Sequence, residues 1–382
     1  MPHTQDRTSA TAKYIDFDIH GKVGVRLVNP TEKDAAAVAK QLGPMQKPLL
    51  RDPDIMIRFV EHIPLDNLRL LGLNAGFNDD GFYILRSSKK AVKVRVPFDR
   101  IGEQCEIVCE SGLKSVPLLI HIVNVVMLKK HCVSLHASAF HYKGKGVMVA
   151  GWAKGGKSES LLAFSQHGAS YMGDEWIYLS ENGEKMYGIP ENMRLWEWHL
   201  QNLPHIRKKV KRESLAMFKG INVLDKFQQA MPNGGIGAAF PVKFLRESMP
   251  ALKRQLNVVM PPQKIFDGKF GPLEGKPEKI FLVMSHNDSN IFVEPVAPME
   301  VADRMIASIR FEQLPFTEQY LSFQFAFPDR KNTFLDNMHT LQYALLRSAL
   351  KGKETYIARH PYPVSFHELY EAMRPACERE MG

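Results

Sequence analysis

Val147-Met-Val-Ala-Gly151-Trp-Ala-Lys-Gly-Gly156-Lys157-Ser158-Glu159-Ser-Leu161-Leu-Ala-Phe164 is the stretch that decides the fold. Val147–Ala150 is an unbroken apolar run, as expected of a strand covered on both faces. Leu161, Leu162 and Phe164 give the next segment a packing face, and Gly168 closes it, so a helix is predicted over about 158–167. Between them, 151–158 satisfies G-x-x-x-x-G-K-[ST] in the strand–turn–helix context that the motif requires. Small residues let backbone N–H groups converge on phosphate oxygens, and the helix aims its positive end at the same point. Gly151, Trp152, Ala153, Lys154, Gly155, Gly156, Lys157, Ser158 and Glu159 are therefore candidate nucleotide-binding residues. Lys157 is expected to neutralise the β- and γ-phosphates, and the Ser158 hydroxyl to ligate Mg²⁺. ATP and Mg²⁺ are the expected ligands.

Working outward, Val133–Tyr142 reads as a strand that turns through Lys143-Gly-Lys-Gly146 into Val147–Ala150. Antiparallel pairing brings the early residues of the first strand close to the start of the loop. Leu135, Ala137 and Ala139 then share one face, while His136, Ser138 and Phe140 share the other, so His136 is free to face the phosphates. Downstream, Ala169–Met172 is a short strand that delivers Asp174 and Glu175. Trp176–Leu179 and Lys185–Tyr187 pair as a hairpin around Asn182-Gly183.

These parts, in this order, resemble the HPr kinase/phosphorylase family, which shares its nucleotide core with phosphoenolpyruvate carboxykinase. The matching features are His136, Gly144 and Gly146, Val147–Ala150, Gly156-Lys-Ser-Glu159, Gly168 and Asp174-Glu175. Gly188-Ile-Pro-Glu-Asn-Met-Arg-Leu-Trp196 is similar to the proline-to-Leu-Trp segment of HPr-kinase-like serine kinases. The resemblance spans some 60 residues. Trp152 and Lys154 depart from the family loop, and Glu175 stands where the second acidic residue is usually Asp; both point to a relative with another acceptor. The resemblance implies Asp174 as general base, His136 near the γ-phosphate, and Glu175 and Glu197 beside Ser158 as metal ligands. It also implies Arg194 as a phosphate or acceptor contact. A homo-oligomer is implied as well, although no residue pattern fixes an assembly.

The rest of the chain supplies context. Its 382 residues suit more than one unit. The expected class is α/β (α+β): a flexible tail over 1–14, a small α+β domain over 15–112, and a phosphate-loop core over 113–310. The core carries an insertion near 216–276, read as loops because it is rich in Gly and Pro, and 311–382 is expected to be helical and packed on it. The net charge of +9 favours acidic partners such as nucleotides. The basic runs Lys89–Arg95 and Arg207–Arg212 lack interleaved aromatics, so nucleic acid is not expected. Four cysteines are too few for a disulfide scaffold and suggest a reducing compartment. Val116–Leu128 is shorter than the ~20 apolar residues of a membrane helix and reads as a buried helix starting at Ser115. A cytoplasmic protein with no membrane association is expected.

Two functions fit. In the first, a kinase passes the γ-phosphate of ATP to a hydroxyl of a protein, peptide or small molecule. In the second, a regulatory module senses ATP or ADP without transfer. The retention of both Asp174 and His136 favours the kinase, because a sensor needs no base.

Overall fold

A computed structural model describes residues 12–87, 90–230, 240–253, 255–267 and 270–380. Among these residues the chain is a mixed α/β fold of twelve α-helices, two large sheets and a separate strand pair.

Side-chain alternation organises the central sheet. Its longest strand is Cys132–Tyr142. Leu135, Ala137 and Ala139 enter one apolar core, while Phe140 and Tyr142 enter the other. Lys145–Gly151 pairs antiparallel with this strand, with Ala150 opposite Ala137. On its other edge it pairs in parallel with Lys279–His286, which pairs in parallel with Thr355–Pro361. The loop after Gly151 therefore leaves the carboxyl end of an interior strand, the place where open α/β sheets gather ligands.

The long strand has two partners on its remaining edge. Trp176–Ser180 pairs with its first half and Ser170–Gly173 with its second. Asp174 and Glu175 fill the break between these partners. Trp176 stands opposite His136, and the Ala137 N–H donates to the Glu175 carbonyl at 3.2 Å. Glu175 adopts φ +72°, a left-handed conformation that costs a residue with a side chain roughly 1–2 kcal/mol.

Helices Lys157–Ser165 and Phe366–Glu378 cover one face of this sheet. Leu119–Lys129, Pro298–Glu312 and Thr333–Leu350 cover the other, and beyond them lies the second sheet. That sheet uses eight strands between Tyr14 and Glu110, and its Val25, Ile57 and Ile107 share one core with Leu135 and Ala139. The segment 15–112 thus makes its own sheet and shares its main core with the central sheet, while Ile63, Tyr83 and Val108 form a small cluster within it. All four cysteines are free and buried. Among the described residues no helix is long and apolar enough to cross a membrane. Most of the 1–14 segment, and Lys89 of the first basic run, lie outside the described residues.

Three expectations are corrected. The segment 216–276 is not mainly loop, since Arg212–Ala230 and Phe240–Lys253 are helices. Gly220 and Pro250 read as breakers yet sit inside them; around Gly220 the packing of Phe218 and Ile221 outweighs local propensity. The segment 311–382 is not wholly helical either. Thr355–Pro361 is an interior strand of the central sheet, held by parallel pairing to a segment some 75 residues earlier. Last, the helix expected from Ser115 begins at Leu119, after Leu118 takes φ +58°.

Candidate active site

Gly156 caps helix Lys157–Ser165 at φ +107°. A Cβ at this position would also lie 2.0 Å from Nε2 of His360, so no other residue fits. His360 is fully buried, and its Nε2 stands 2.9 Å from the Gly155 carbonyl oxygen. Strand Thr355–Pro361 therefore supports the 151–158 loop from beneath. Ser138 adds a second support, donating to the Lys157 carbonyl at 2.8 Å. Neither His360 nor Ser138 carried a sequence signal for this task.

The loop opens onto a cavity of about 470 Å³. Residues 153–159 form its floor, and two groups of side chains rise around them. The first is ionisable: His136, Glu175, Glu191, Arg194 and Glu312. The second is largely apolar: Trp196, Val259 and Tyr362, beside His199.

Lys157 is buried, and its ammonium donates to the Trp152 carbonyl at 2.8 Å. The ammonium thus rests on the loop's own carbonyl. Burial lowers its pKa against the upward pull of Glu175, Asp174, Glu159 and Glu312. Trp152, bulky for a phosphate loop, turns its ring outward onto Phe311, with centroids 4.7 Å apart. Lys154 is exposed at the cavity wall with φ +62°.

Asp174 is almost completely buried, and the Ser158 hydroxyl lies 2.9 and 3.1 Å from its two carboxylate oxygens. Burial, aided by the charge of Glu175, pushes its pKa up to about 7. Asp174 is not among the residues that line the cavity; its carboxylate is turned onto the loop, toward Ser158. Glu175 does line the cavity. Burial raises the Glu175 pKa, but the hydrogen bond and charge of His136 outweigh this and hold it below the usual range.

His136 lies beside the loop as its strand register requires, yet both ring nitrogens face carboxylates. Nε2 is 2.9 Å from Glu175 and Nδ1 is 2.7 Å from Glu312. Burial pulls the imidazole pKa down, the two carboxylates pull it up, and the net shift is upward. Glu312 ends helix Pro298–Glu312, far from the loop in sequence, and no local pattern marks it.

Glu191 lies in the Gly188–Trp196 segment and has a buried Oε1 with no hydrogen-bond partner. Burial, with the charges of Glu175 and Asp174, raises its pKa well above the ordinary value. Arg194 is exposed at the cavity and lowers the pKa of Glu175. The carboxylate of Glu197, expected at the metal, accepts from Asn222 at 2.7 and 2.8 Å, and the residue is not among those that line the cavity.

Metal fit can be judged from the donors. Among the described residues no group of three or more His, Cys, Asp or Glu is set to hold a metal alone. Mg²⁺, however, commonly binds through one or two carboxylates, water and substrate phosphate. Ser158 with Asp174 offers hard oxygen donors beside the loop. The surrounding carboxylates would also repel a bare triphosphate, so a magnesium complex suits the cavity better.

The raised Asp174 pKa makes a stability prediction. The folded chain holds a proton that the unfolded chain has released, so this stabilisation is complete below 3.8 and disappears as pH rises through about 7. Asp174→Asn keeps an acceptor for Ser158 and removes the titration. Without nucleotide, its melting temperature is expected to exceed wild type near pH 8, with the gap shrinking toward pH 5. A gap independent of pH across that range would show that Asp174 titrates normally. Comparison of the chain with protein-family models and with curated proteins returns no match.

Proposed function

We propose that the chain is a Mg-ATP-dependent phosphotransferase, built on a phosphate-loop core of the HPr kinase and phosphoenolpyruvate carboxykinase type, that acts on a hydroxyl acceptor. One observation carries this reading: a phosphate loop and a carboxylate–imidazole pair, Glu175–His136, line the same cavity. A binding module has no use for the second.

The chemistry needs few protein groups. The loop N–H groups and Lys157 hold the triphosphate and take up charge on the β- and γ-phosphates. Ser158 and Asp174 would hold Mg²⁺, which would add to the neutralisation of the phosphate charge. Glu175 accepts the proton of the acceptor hydroxyl as the new O–P bond forms. The bond from the γ-phosphorus to its bridging oxygen breaks, and the nucleoside diphosphate leaves. His136 orients Glu175, while Glu312 fixes the other side of the ring. This reading exchanges two roles expected from the resemblance: the cavity-facing Glu175 becomes the base, and the loop-facing Asp174 serves the metal.

The test is transfer of label. The protein is incubated with γ-labelled ATP, Mg²⁺ and fractionated protein and metabolite pools. Label is expected to move to one hydroxyl-bearing acceptor and to stay on ATP when Mg²⁺ is chelated. ATP that binds but remains intact with every fraction would favour a nucleotide sensor instead.

A further inference from the structure

Resting on the nucleotide reading above, and extending it to the nucleoside, we propose that the base of the bound triphosphate stacks on the ring of Tyr362.

Tyr362 follows the strand that supports the phosphate loop, two residues after His360. Its position is thereby tied to that of the loop. Tyr362 is 46% exposed, yet it lines the loop cavity. Trp198 braces it edge-on, with ring centroids 5.6 Å apart and planes at 82°. Trp198 is itself packed against His199, with centroids 4.1 Å apart, and His199 Nε2 lies 3.1 Å from Glu159 in the first turn of the loop helix. The tyrosine is thus held by a chain of contacts that ends at the loop.

The same cavity has an apolar wall. Strands Met193–Trp196 and Asn257–Met260 pair with Arg194 opposite Val259. Met193 and Leu195 are buried on one face of this pair, which leaves Arg194, Trp196 and Val259 to the cavity. Val259 is 56% exposed. An open aromatic ring and an exposed aliphatic side chain in one concave site suit a flat heteroaromatic ligand.

Direction follows from the loop. Glu175, His136 and Glu312 mark the reacting end, because the proposed base Glu175 and its partners sit there. Glu159, with His199 and Tyr362, lies where the loop passes into its helix. A triphosphate whose γ-group faces Glu175 therefore sends its nucleoside toward Tyr362. The other exposed aromatic pair, Trp152 and Phe311, adjoins Glu312 at the reacting end, and its rings pack on each other. It is the poorer seat for a base.

Calorimetry on the full chain tests the seat, with Mg-ATP and Mg-tripolyphosphate as ligands. Tyr362→Ala is expected to weaken Mg-ATP by about tenfold, the scale of one base–aromatic stack, and to leave Mg-tripolyphosphate unchanged. Tyr362→Phe is expected to bind both like wild type. Wild-type ATP affinity in the folded Tyr362→Ala protein would overturn the proposal, as would equal weakening of both ligands. Lys157→Ala separates the two readings. If it loses both ligands while Tyr362→Ala loses neither, the loop stands and the seat falls. If wild-type protein binds neither ligand, the phosphate-loop reading fails and the seat falls with it.

Discussion

Lys157→Ala is expected to weaken Mg-ATP by on the order of 100-fold or more, since charge-assisted hydrogen bonds to phosphate are lost. The surroundings enlarge the effect. Lys157 is buried beneath the loop, and Glu175, Asp174, Glu159 and Glu312 all act on its charge. Removing the ammonium leaves those carboxylates facing an incoming triphosphate. The fold should survive, because the loop keeps the supports from His360 and Ser138. The Trp152 carbonyl loses its donor, but Trp152 is an exposed residue of the loop, where water can take the donor's place. Calorimetry with Mg-ATP, alongside circular dichroism, checks both points. A folded variant with wild-type affinity would remove the phosphate loop from nucleotide binding.

The loop was legible in the sequence because its signal is local. Strand, glycines, Lys157, Ser158 and helix are consecutive, and each constrains the next. His136 was legible for a related reason: a short turn fixes its strand against the loop, and strand register does the rest. What escaped was assembled over distance. Glu312 reaches His136 across 176 residues by way of a helix end. His360 reaches Gly155 across 205 residues through a parallel strand, whose pairing leaves no local pattern. Glu197 also depends on a distant segment. Its spacing from the acidic pair suggested a ligand, but the Arg212–Ala230 helix, unread because Gly220 interrupts it, supplies Asn222 to take its carboxylate. The placements of Asp174 and Glu175 were hardest to separate, because adjacent residues at a break between strands leave no periodicity to say which one faces the cavity.

Glu175→Gln is expected to slow phosphoryl transfer by about 100-fold or more while Mg-ATP affinity changes little. The amide fills the same space but cannot take the acceptor proton at neutral pH. Asp174→Asn should behave differently, because its carboxylate meets Ser158 and not the cavity: Mg-ATP affinity should fall, and the metal concentration needed for half-maximal transfer should rise. His136→Ala should resemble Glu175→Gln in sparing affinity, with a smaller loss of rate, since it frees Glu175 without removing it. The pH profile adds a separate readout. His136 has a raised pKa, so its orienting charge persists to higher pH than that of an ordinary histidine and is lost as pH rises through the raised value. Wild-type transfer should therefore decline on the alkaline side, and His136→Ala should lose that limb. Single-turnover assays with saturating Mg-ATP separate chemistry from binding. If Glu175→Gln transfers phosphate at the wild-type rate while Asp174→Asn binds Mg-ATP normally but transfers none, the base is Asp174. The loop-facing carboxylate would then have to leave Ser158 during the reaction.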